Sequence, residues 1–392
     1  MLLDIAKALE SIPALPQDIQ KFYNLADDLM MNAKKAADLL MTDQALSAQI
    51  LKIANSSFYG YSHHVSTVSQ AIVIIGFEGV RNLAMSMVIH NKLFAKRKNV
   101  NLKVREKLWE HSLAVACASR LIVQKLGKQD PEQGFLMGLL HDLGKVVILE
   151  VAEEEYAEIL ENIDDSDVPL HELEAQKYQT NHAHLGSELC KNWQLPFIFS
   201  RACNLHHISS VSSGIEDVED GFIRTVQLAD TLAKLTFNYQ CSSPIIELPT
   251  LVSFAQEGIT QAKILDLALE LPVNIEQAKP LFAVNDNLDK TQFAVAPVKV
   301  GIKSKRKTLQ TALNIIAMQL GYECIPEFDR LEEVELNYIL TDEPEYLANS
   351  HEAQELGVKV INLTEMLSET KALDDKRLNV KKVALAFQKQ LI

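Results

Sequence analysis

The sequence predicts a mostly α-helical protein that ends in a small α/β domain. Three observations carry that fold class. From Ser47 to about residue 290, nearly every segment spaces its apolar residues at a helical period, and alternating strand patterns are absent. The texture changes near Ala294, where Ala294-Val295-Ala296-Pro297-Val298-Lys299-Val300-Gly301-Ile302 forms a β-branched run beside a basic turn. Beyond it, short strand-like runs alternate with helical ones, the pattern of a small parallel α/β layer. A chain of 392 residues also exceeds one compact core, so more than one domain is expected.

Each element follows in order. Ile12-Pro13-Ala14-Leu15-Pro16 enters extended, because a proline disfavours helix in the residue before it. Asp43 is placed to cap a helix over residues 44–56, with Leu46, Ile50 and Ile53 as its apolar stripe. Asn55 and Ser56 at its end are read as structural hydrogen-bonding residues. Ser66-Thr67-Val68 opens a helix that closes near Gly76, and Gly79 is expected to start the next. Over residues 108–124, Leu108, His111, Val115, Ala118 and Ile122 share one face, which turns His111 into the core. An apolar helix then ends in His141-Asp142-Leu143-Gly144-Lys145, and its Gly134 and Gly138, one turn apart, allow a second backbone to approach. Downstream, His182, Gly186, Leu189 and Trp193 lie on one helical face, with His184 elsewhere. Pro196 suits the first turn of a helix that aligns Phe199, Cys203 and His206, with His207 beside them. Ile223, Val226 and Asp230 form the inward stripe of a later helix.

The α/β part is expected to run from a strand over residues 298–302 through a helix over 308–320. Strands over 323–326, 336–340 and 358–363 follow, with a helix over 348–356 between the last two. The pattern gives an N-terminal helical part over residues 1–105, a His/Asp-bearing helical part over 106–290 and an α/β domain over 296–392. The linker between the last two falls near 285–297, where Asn285-Asp286-Asn287 and Pro297 interrupt regular structure.

Composition narrows the function. An apolar fraction of 47% and a charged fraction of 23% are ordinary for globular proteins. The longest apolar runs, such as residues 135–140, are too short to span a bilayer, so no membrane partner is expected. Met1-Leu2-Leu3-Asp4 lacks the apolar run of an export signal, and the expected compartment is the cytoplasm. Cys117, Cys190, Cys203, Cys241 and Cys324 show no CxxC spacing and read as small buried hydrophobes. A net charge of −14 disfavours nucleic acid, and Lys303-Ser304-Lys305-Arg306-Lys307 reads as a solvated helix entry.

The chemistry gathers on seven residues. His111, His141, Asp142, His182, His206, His207 and Asp230 all have reason to face one core, because a carboxylate on an apolar stripe needs a partner. Imidazole and carboxylate donors suit one or two divalent ions such as iron, manganese or magnesium. One ion takes about four of them, and two ions bridged by Asp142 would use all seven. A metal-free network in which imidazoles and carboxylates satisfy each other is the other reading. Lys145, one turn past Asp142, is placed to present a cation to a phosphate.

The ordered motifs resemble a known family. Pro13-Ala14-Leu15-Pro16, Asp43-Gln44-Ala45-Leu46-Ser47, Ala54-Asn55-Ser56 and Ala71-Ile72 with Ile75-Gly76 resemble the HDOD family, the HD-related output domains of bacterial signalling proteins. The likeness runs over residues 10–235 and implies an HD-superfamily helical bundle. His111, His141-Asp142 and Asp230 match the H…HD…D signature of HD-superfamily phosphohydrolases, which places a first ion on those four. His182 and His206-His207 resemble the larger ligand set of the HD-GYP phosphodiesterases. The chain departs from that branch after the pair, where Ile208-Ser209-Ser210-Val211-Ser212-Ser213-Gly214 has neither a glutamate nor Gly-Tyr-Pro.

HDOD membership implies a signal-transduction regulator that binds a protein or a nucleotide without strong catalysis. The implied partner is a signalling protein, such as a cyclic-dinucleotide enzyme or a histidine kinase, with homodimerisation also in keeping. The alternative is a metal-dependent phosphohydrolase using Asp142 and Lys145. Residues 296–390 resemble a truncated, flavodoxin-like receiver domain, with Asp342 after the third strand and Thr364 after the fourth. Lysines stand where a working receiver has acidic residues, and a fifth strand is missing, so the resemblance implies a pseudo-receiver for docking or dimerisation.

Overall fold

Asp43 caps its helix as its position predicts, accepting the Leu46 N–H at 3.0 Å. That cap begins α2 (Gln44–Ala54), which follows α1 (Ile5–Glu10). The computed structural model describes residues 3–17, 20, 40, 43–59, 64–94, 102–127, 129–208, 218–238, 241–248, 250–251, 259–282, 299–325, 336, 338–343, 353, 358–373 and 377–391. The expected linker at 285–297, the segment from Ser209 to Gly214 and all of the expected 348–356 helix except Ala353 lie outside them. Contacts divide the chain into two units, one of residues 1–230, 240–242 and 270–286, the other of 231–239, 243–269 and 287–392.

The first unit is helical. Thr67 and Gln70 form a capping box at the start of α3 (Val68–Ile75), worth about 1 kcal/mol. Gly76, at φ +89°, turns the chain into α4 (Phe77–Ile89), which runs on into a π-helical turn over His90–Phe94. Gly79 therefore lies inside α4 and does not start it. A Cβ there would sit 2.5 Å from Ile75 Cγ2, so the position needs glycine for close packing. Asn55 ties down the loop ahead of α3, exchanging hydrogen bonds with the Val65 backbone at 2.8 and 2.7 Å.

The longest helix, α5 (Leu102–Leu126), packs against α6 (Pro131–Leu140). Asp130 caps α6 and Pro131 occupies its first turn, where a missing N–H costs nothing. The two glycines act as their spacing predicts. A Cβ on Gly138 would stand 2.6 Å from the Val115 carbonyl, and one on Gly134 2.9 Å from Val123 Cγ2. Arg120 and Glu132 make a buried pair at 2.8 Å, with the Tyr59 hydroxyl on the other Glu132 oxygen and the guanidinium 4.3 Å over Phe58. The helices α7 (Leu143–Val151), α8 (Glu153–Asn162), α9 (Leu170–Tyr178), α10 (His182–Asn192) and α11 (Phe197–Leu205) follow, and α12 (Val218–Leu235) carries Asp230. Trp193, Tyr156, Phe135 and Phe199 are almost fully buried, each worth about 1.5–3 kcal/mol of hydrophobic stabilisation.

Four of the five thiols are buried as expected. Cys117, Cys190, Cys203 and Cys241 are buried, and Cys324 is half-buried. Cys203 lies 3.7 Å from Cys190, and that contact together with burial pushes its thiol well up. Among the described residues, no single helix is long and apolar enough to cross a membrane.

The second unit holds a four-stranded parallel sheet of β2 (Lys299–Lys303), β3 (Glu323–Ile325), β4 (Tyr338–Thr341) and β5 (Lys359–Asn362), in the order β3-β2-β4-β5. Gly301 pairs with Ile339, and Leu340 with Ile361. These strands sit within one or two residues of the expected runs, and α14 (Lys307–Gln319) matches the expected helix. The expected absence of strands before residue 290 needs correction. A strand β1 (Ile245–Glu247) pairs antiparallel with β6 (Arg377–Asn379), forming a separate two-stranded ribbon. Three residues are too few to display a period, and the partner lies far along the chain. α13 (Gln261–Ala278) precedes β2, α15 (Leu363–Glu369) follows β5, and α16 (Val380–Leu391) ends the described chain. Val383, Phe387 and Leu391 form the buried stripe of α16.

Candidate metal centre

His141 and Asp142 occupy the corner between α6 and α7, where helix ends leave backbone groups without helical partners. His141 caps α6, and its Nδ1 lies 2.7 Å from the Gly138 carbonyl. His206 repeats the arrangement at the end of α11, with Nδ1 2.6 Å from the Cys203 carbonyl. His182 opens α10, and both its backbone N–H and its Nδ1 meet Glu174 Oε2, at 2.8 and 2.6 Å. All three Nδ1 atoms face pure acceptors and therefore carry the proton. A neutral imidazole with Nδ1–H keeps a lone pair on Nε2. Each of these three lone pairs faces Asp142.

Asp142 is buried at the centre. Its Oδ2 receives Lys145 Nζ at 2.5 Å, with His141 Nε2 at 3.2 Å and His111 Nε2 at 3.5 Å. Its Oδ1 faces His182 Nε2 at 3.3 Å and His206 Nε2 at 3.6 Å, and makes no hydrogen bond among the described residues. His207 is half-buried, and its Nε2 lies 2.8 Å from that of His182. Two donor groups result, with ligand atoms mutually within 4.8 Å: Asp142, His182, His206 and His207, and His111, His141 and Asp142. Asp230 joins through His111, whose Nε2 is 3.3 Å from its carboxylate. All seven expected side chains thus converge, while His184 is exposed. Lys145, expected to face a phosphate, is buried against Asp142.

Burial alone would raise the Asp142 carboxyl. In its protonated form the His141 ring, with the Lys145 ammonium beside it, outweighs that and holds the carboxyl well below the usual carboxylate range. Burial lowers His206 despite its carboxylate neighbours, which keeps its ring neutral. A carboxylate oxygen and neutral imidazole lone pairs facing one another repel unless a cation lies between them. The donor set therefore fits a divalent ion. His111, His141, Asp142, His182, His206, His207 and Asp230 are the residues that could hold it.

Three contributors escaped the sequence reading. Glu174 is fully buried, and its other oxygen accepts the Tyr156 hydroxyl. His171 stacks on His207, with ring centroids 4.2 Å apart. The signal for Glu174 was present, because Leu170, Glu174 and Tyr178 form the buried stripe of α9. By fixing the ring and tautomer of His182, Glu174 raises its basicity as a ligand. The Glu174→Gln chain is expected to bind Mn²⁺ about 10–100-fold more weakly. Calorimetric titration checks this, and an unchanged affinity would remove Glu174 from the site.

Two curated relatives are an uncharacterized protein of Treponema pallidum, 24% identical over 204 residues, and the uncharacterized protein YuxH of Bacillus subtilis, 24% identical over 135 residues. The matches take in 52% and 34% of this chain but only 39% and 32% of those proteins, so the chain spans about a third of their length. Among solved structures, an HDOD domain protein of unknown function from Geobacter sulfurreducens matches with a TM-score of 0.54 at 23% identity, over 72% of this chain and 99% of that one. A candidate phosphohydrolase from Shewanella amazonensis matches at 0.53 and 20% identity, over 71% and 97% of the two chains. A candidate signal transduction protein from Marinobacter aquaeolei gives 0.55 and 20%, over 72% and 62%. At these identities the likeness shows the fold, which is mostly helical and HD-like. The family model described as HDOD domain matches residues 12–209, half of the chain, and takes in the His141-Asp142 corner, His182 and both histidines that end α11, so this protein belongs to the HDOD domain family.

Proposed function

We propose that this chain is a cytoplasmic bacterial signalling regulator whose His/Asp pocket binds a divalent ion and a phosphorylated ligand and relays that state without fast turnover. One observation carries the reading: three imidazoles with Nδ1–H held by fixed acceptors aim their Nε2 lone pairs at one buried carboxylate. A bound divalent ion would supply Lewis acidity to a phosphoryl oxygen or to water. Rapid phosphoryl transfer also needs groups that orient the substrate and stabilise developing charge. Lys145 is committed to Asp142, and Arg105, Arg120 and Arg201 are tied to Glu150, Glu132 and Asp220. The segment from Ser209 to Gly214 contains no basic residue.

The partner in this reading is a signalling protein, such as a cyclic-dinucleotide enzyme or a histidine kinase, or a second copy of the chain. The C-terminal sheet serves as a pseudo-receiver that docks it. Its all-parallel β3-β2-β4-β5 order supports this reading. So does Asp342, whose carboxylate accepts from Ser304 Oγ at 2.9 Å and the Lys305 N–H at 3.0 Å, and so serves as an internal clamp.

The test uses the full chain with Mn²⁺ and cyclic di-GMP. Turnover is expected below about 0.01 s⁻¹, against the 1–10³ s⁻¹ of ordinary enzymes. Binding, followed by calorimetry, should be lost in His141→Ala. Fast turnover abolished by His141→Ala would establish a phosphodiesterase instead. Binding that persists unchanged in that variant would remove the pocket from the function.

A further inference from the structure

We infer that the two donor groups are not equivalent: the first divalent ion goes to Asp142 Oδ1 with His182, His206 and His207, while the Lys145 ammonium holds the Oδ2 half in place of a second cation. This inference rests on the metal-binding reading above and reverses the order that the H…HD…D signature implies.

The two oxygens of Asp142 have different surroundings. Oδ2 is 2.5 Å from Lys145 Nζ, and Lys145 and Asp142 are only 1% and 4% exposed. Lys145 lies one turn beyond Asp142 on α7, so local helix geometry delivers the ammonium to that oxygen. An ion entering between His111, His141 and Oδ2 must expel that ammonium or share the oxygen with it. Expulsion strands a buried charge, a penalty that weakens binding by about a hundredfold or more.

Among the described residues, the opposite half has no such occupant. Oδ1 makes no hydrogen bond among the described residues, although two imidazole nitrogens stand 3.3 and 3.6 Å away. His206 Nε2 is likewise buried without a hydrogen-bond partner among the described residues. Both rings have fixed tautomers, His182 through Glu174 and His206 through the Cys203 carbonyl. His207 adds a third nitrogen, 2.8 Å from that of His182. Three nitrogens and one oxygen make a complete set for one ion, with a carboxylate behind one imidazole raising its basicity. His207 is also the half-buried member of the set, which places this half on the side that solvent reaches.

The experiment is titration of the metal-stripped full chain with Mn²⁺, with bound metal counted by mass spectrometry after gel filtration. The natural chain should take one ion. His207→Gln should weaken it at least about tenfold, whereas Asp230→Asn should leave it within about threefold. Lys145→Met should raise the capacity to two ions per chain. Two ions in the natural chain, one ion lost in Asp230→Asn but kept in His207→Gln, or one ion in a folded Lys145→Met chain would each overturn the inference and leave metal binding standing. Absence of any ion from every form would overturn both. Where Lys145→Met does not fold, the His207 and Asp230 variants, which keep the natural lysine, decide alone.

Discussion

Asp142→Ala is expected to abolish metal binding and to lower the melting temperature of the metal-free chain by about 10 °C. The metal loss follows because both donor groups share this carboxylate. The stability loss has a separate origin. Lys145 is 1% exposed and would be left as an uncompensated buried ammonium, which costs about 3–5 kcal/mol. Adding Lys145→Met to Asp142→Ala should therefore recover much of the stability and none of the metal. The pH dependence has a definite sign. The folded Asp142 carboxyl lies well below its ordinary value, so its contribution is fully present above the unfolded value of about 4. It is lost only as pH falls through the depressed folded value. The carboxyl's own share of the melting difference between parent and Asp142→Asn should thus hold down to about pH 5 and shrink only in stronger acid. Metal analysis and thermal melts across that range check both parts. A variant that keeps its full metal content would show that the ligands lie elsewhere.

Gly144→Ala is the second substitution with a large expected effect. A Cβ at Gly144 would stand 1.9 Å from the His182 carbonyl oxygen and 2.7 Å from the Gly186 nitrogen. Both are backbone atoms, so neither can rotate aside. α7 and α10 would have to separate, taking Asp142 away from His182. A loss of at least about 3 kcal/mol is expected, with Mn²⁺ affinity down by more than about a hundredfold. Gly186→Ala makes a useful contrast, because its Cβ would meet Gly144 N at 3.2 Å and Cys203 Cβ at 3.4 Å. That contact is tight but adjustable, and a loss of about 1–2 kcal/mol is expected. Melting curves of equal quality for the parent and Gly144→Ala would show that the helices do not pack this closely.

The candidate site was legible because polar groups on apolar stripes are costly and therefore informative. His111 on α5 and Asp230 on α12 could be placed by that rule alone, and the His141-Asp142 corner by the apolar helix that delivers it. Glu174 obeys the same rule, but α9 is only nine residues long and its other faces are polar, so its stripe is two residues and a glutamate. Lys145 was legible as a residue but not as a partner. Sequence places it one turn from Asp142, yet it cannot say whether the ammonium points to a ligand or folds back. The parallel strands were readable as β-branched runs of ordinary length. The ribbon of β1 and β6 was not, since three-residue strands have no period and their pairing is set by the tertiary fold.

That ribbon has a consequence for the order in which the chain can be completed during synthesis. Glu247 leaves the ribosome 130 residues ahead of Arg377, its strand partner. At about 5–20 residues per second the delay is roughly 6–26 s, far longer than the time a hairpin needs to close. Through that interval Ile245 and Ile246 offer an unpaired backbone edge that any neighbouring nascent chain can extend. The helices that build the His/Asp pocket up to Asp230 have all been made by then, so the metal site can form while the second unit still waits for its last strand.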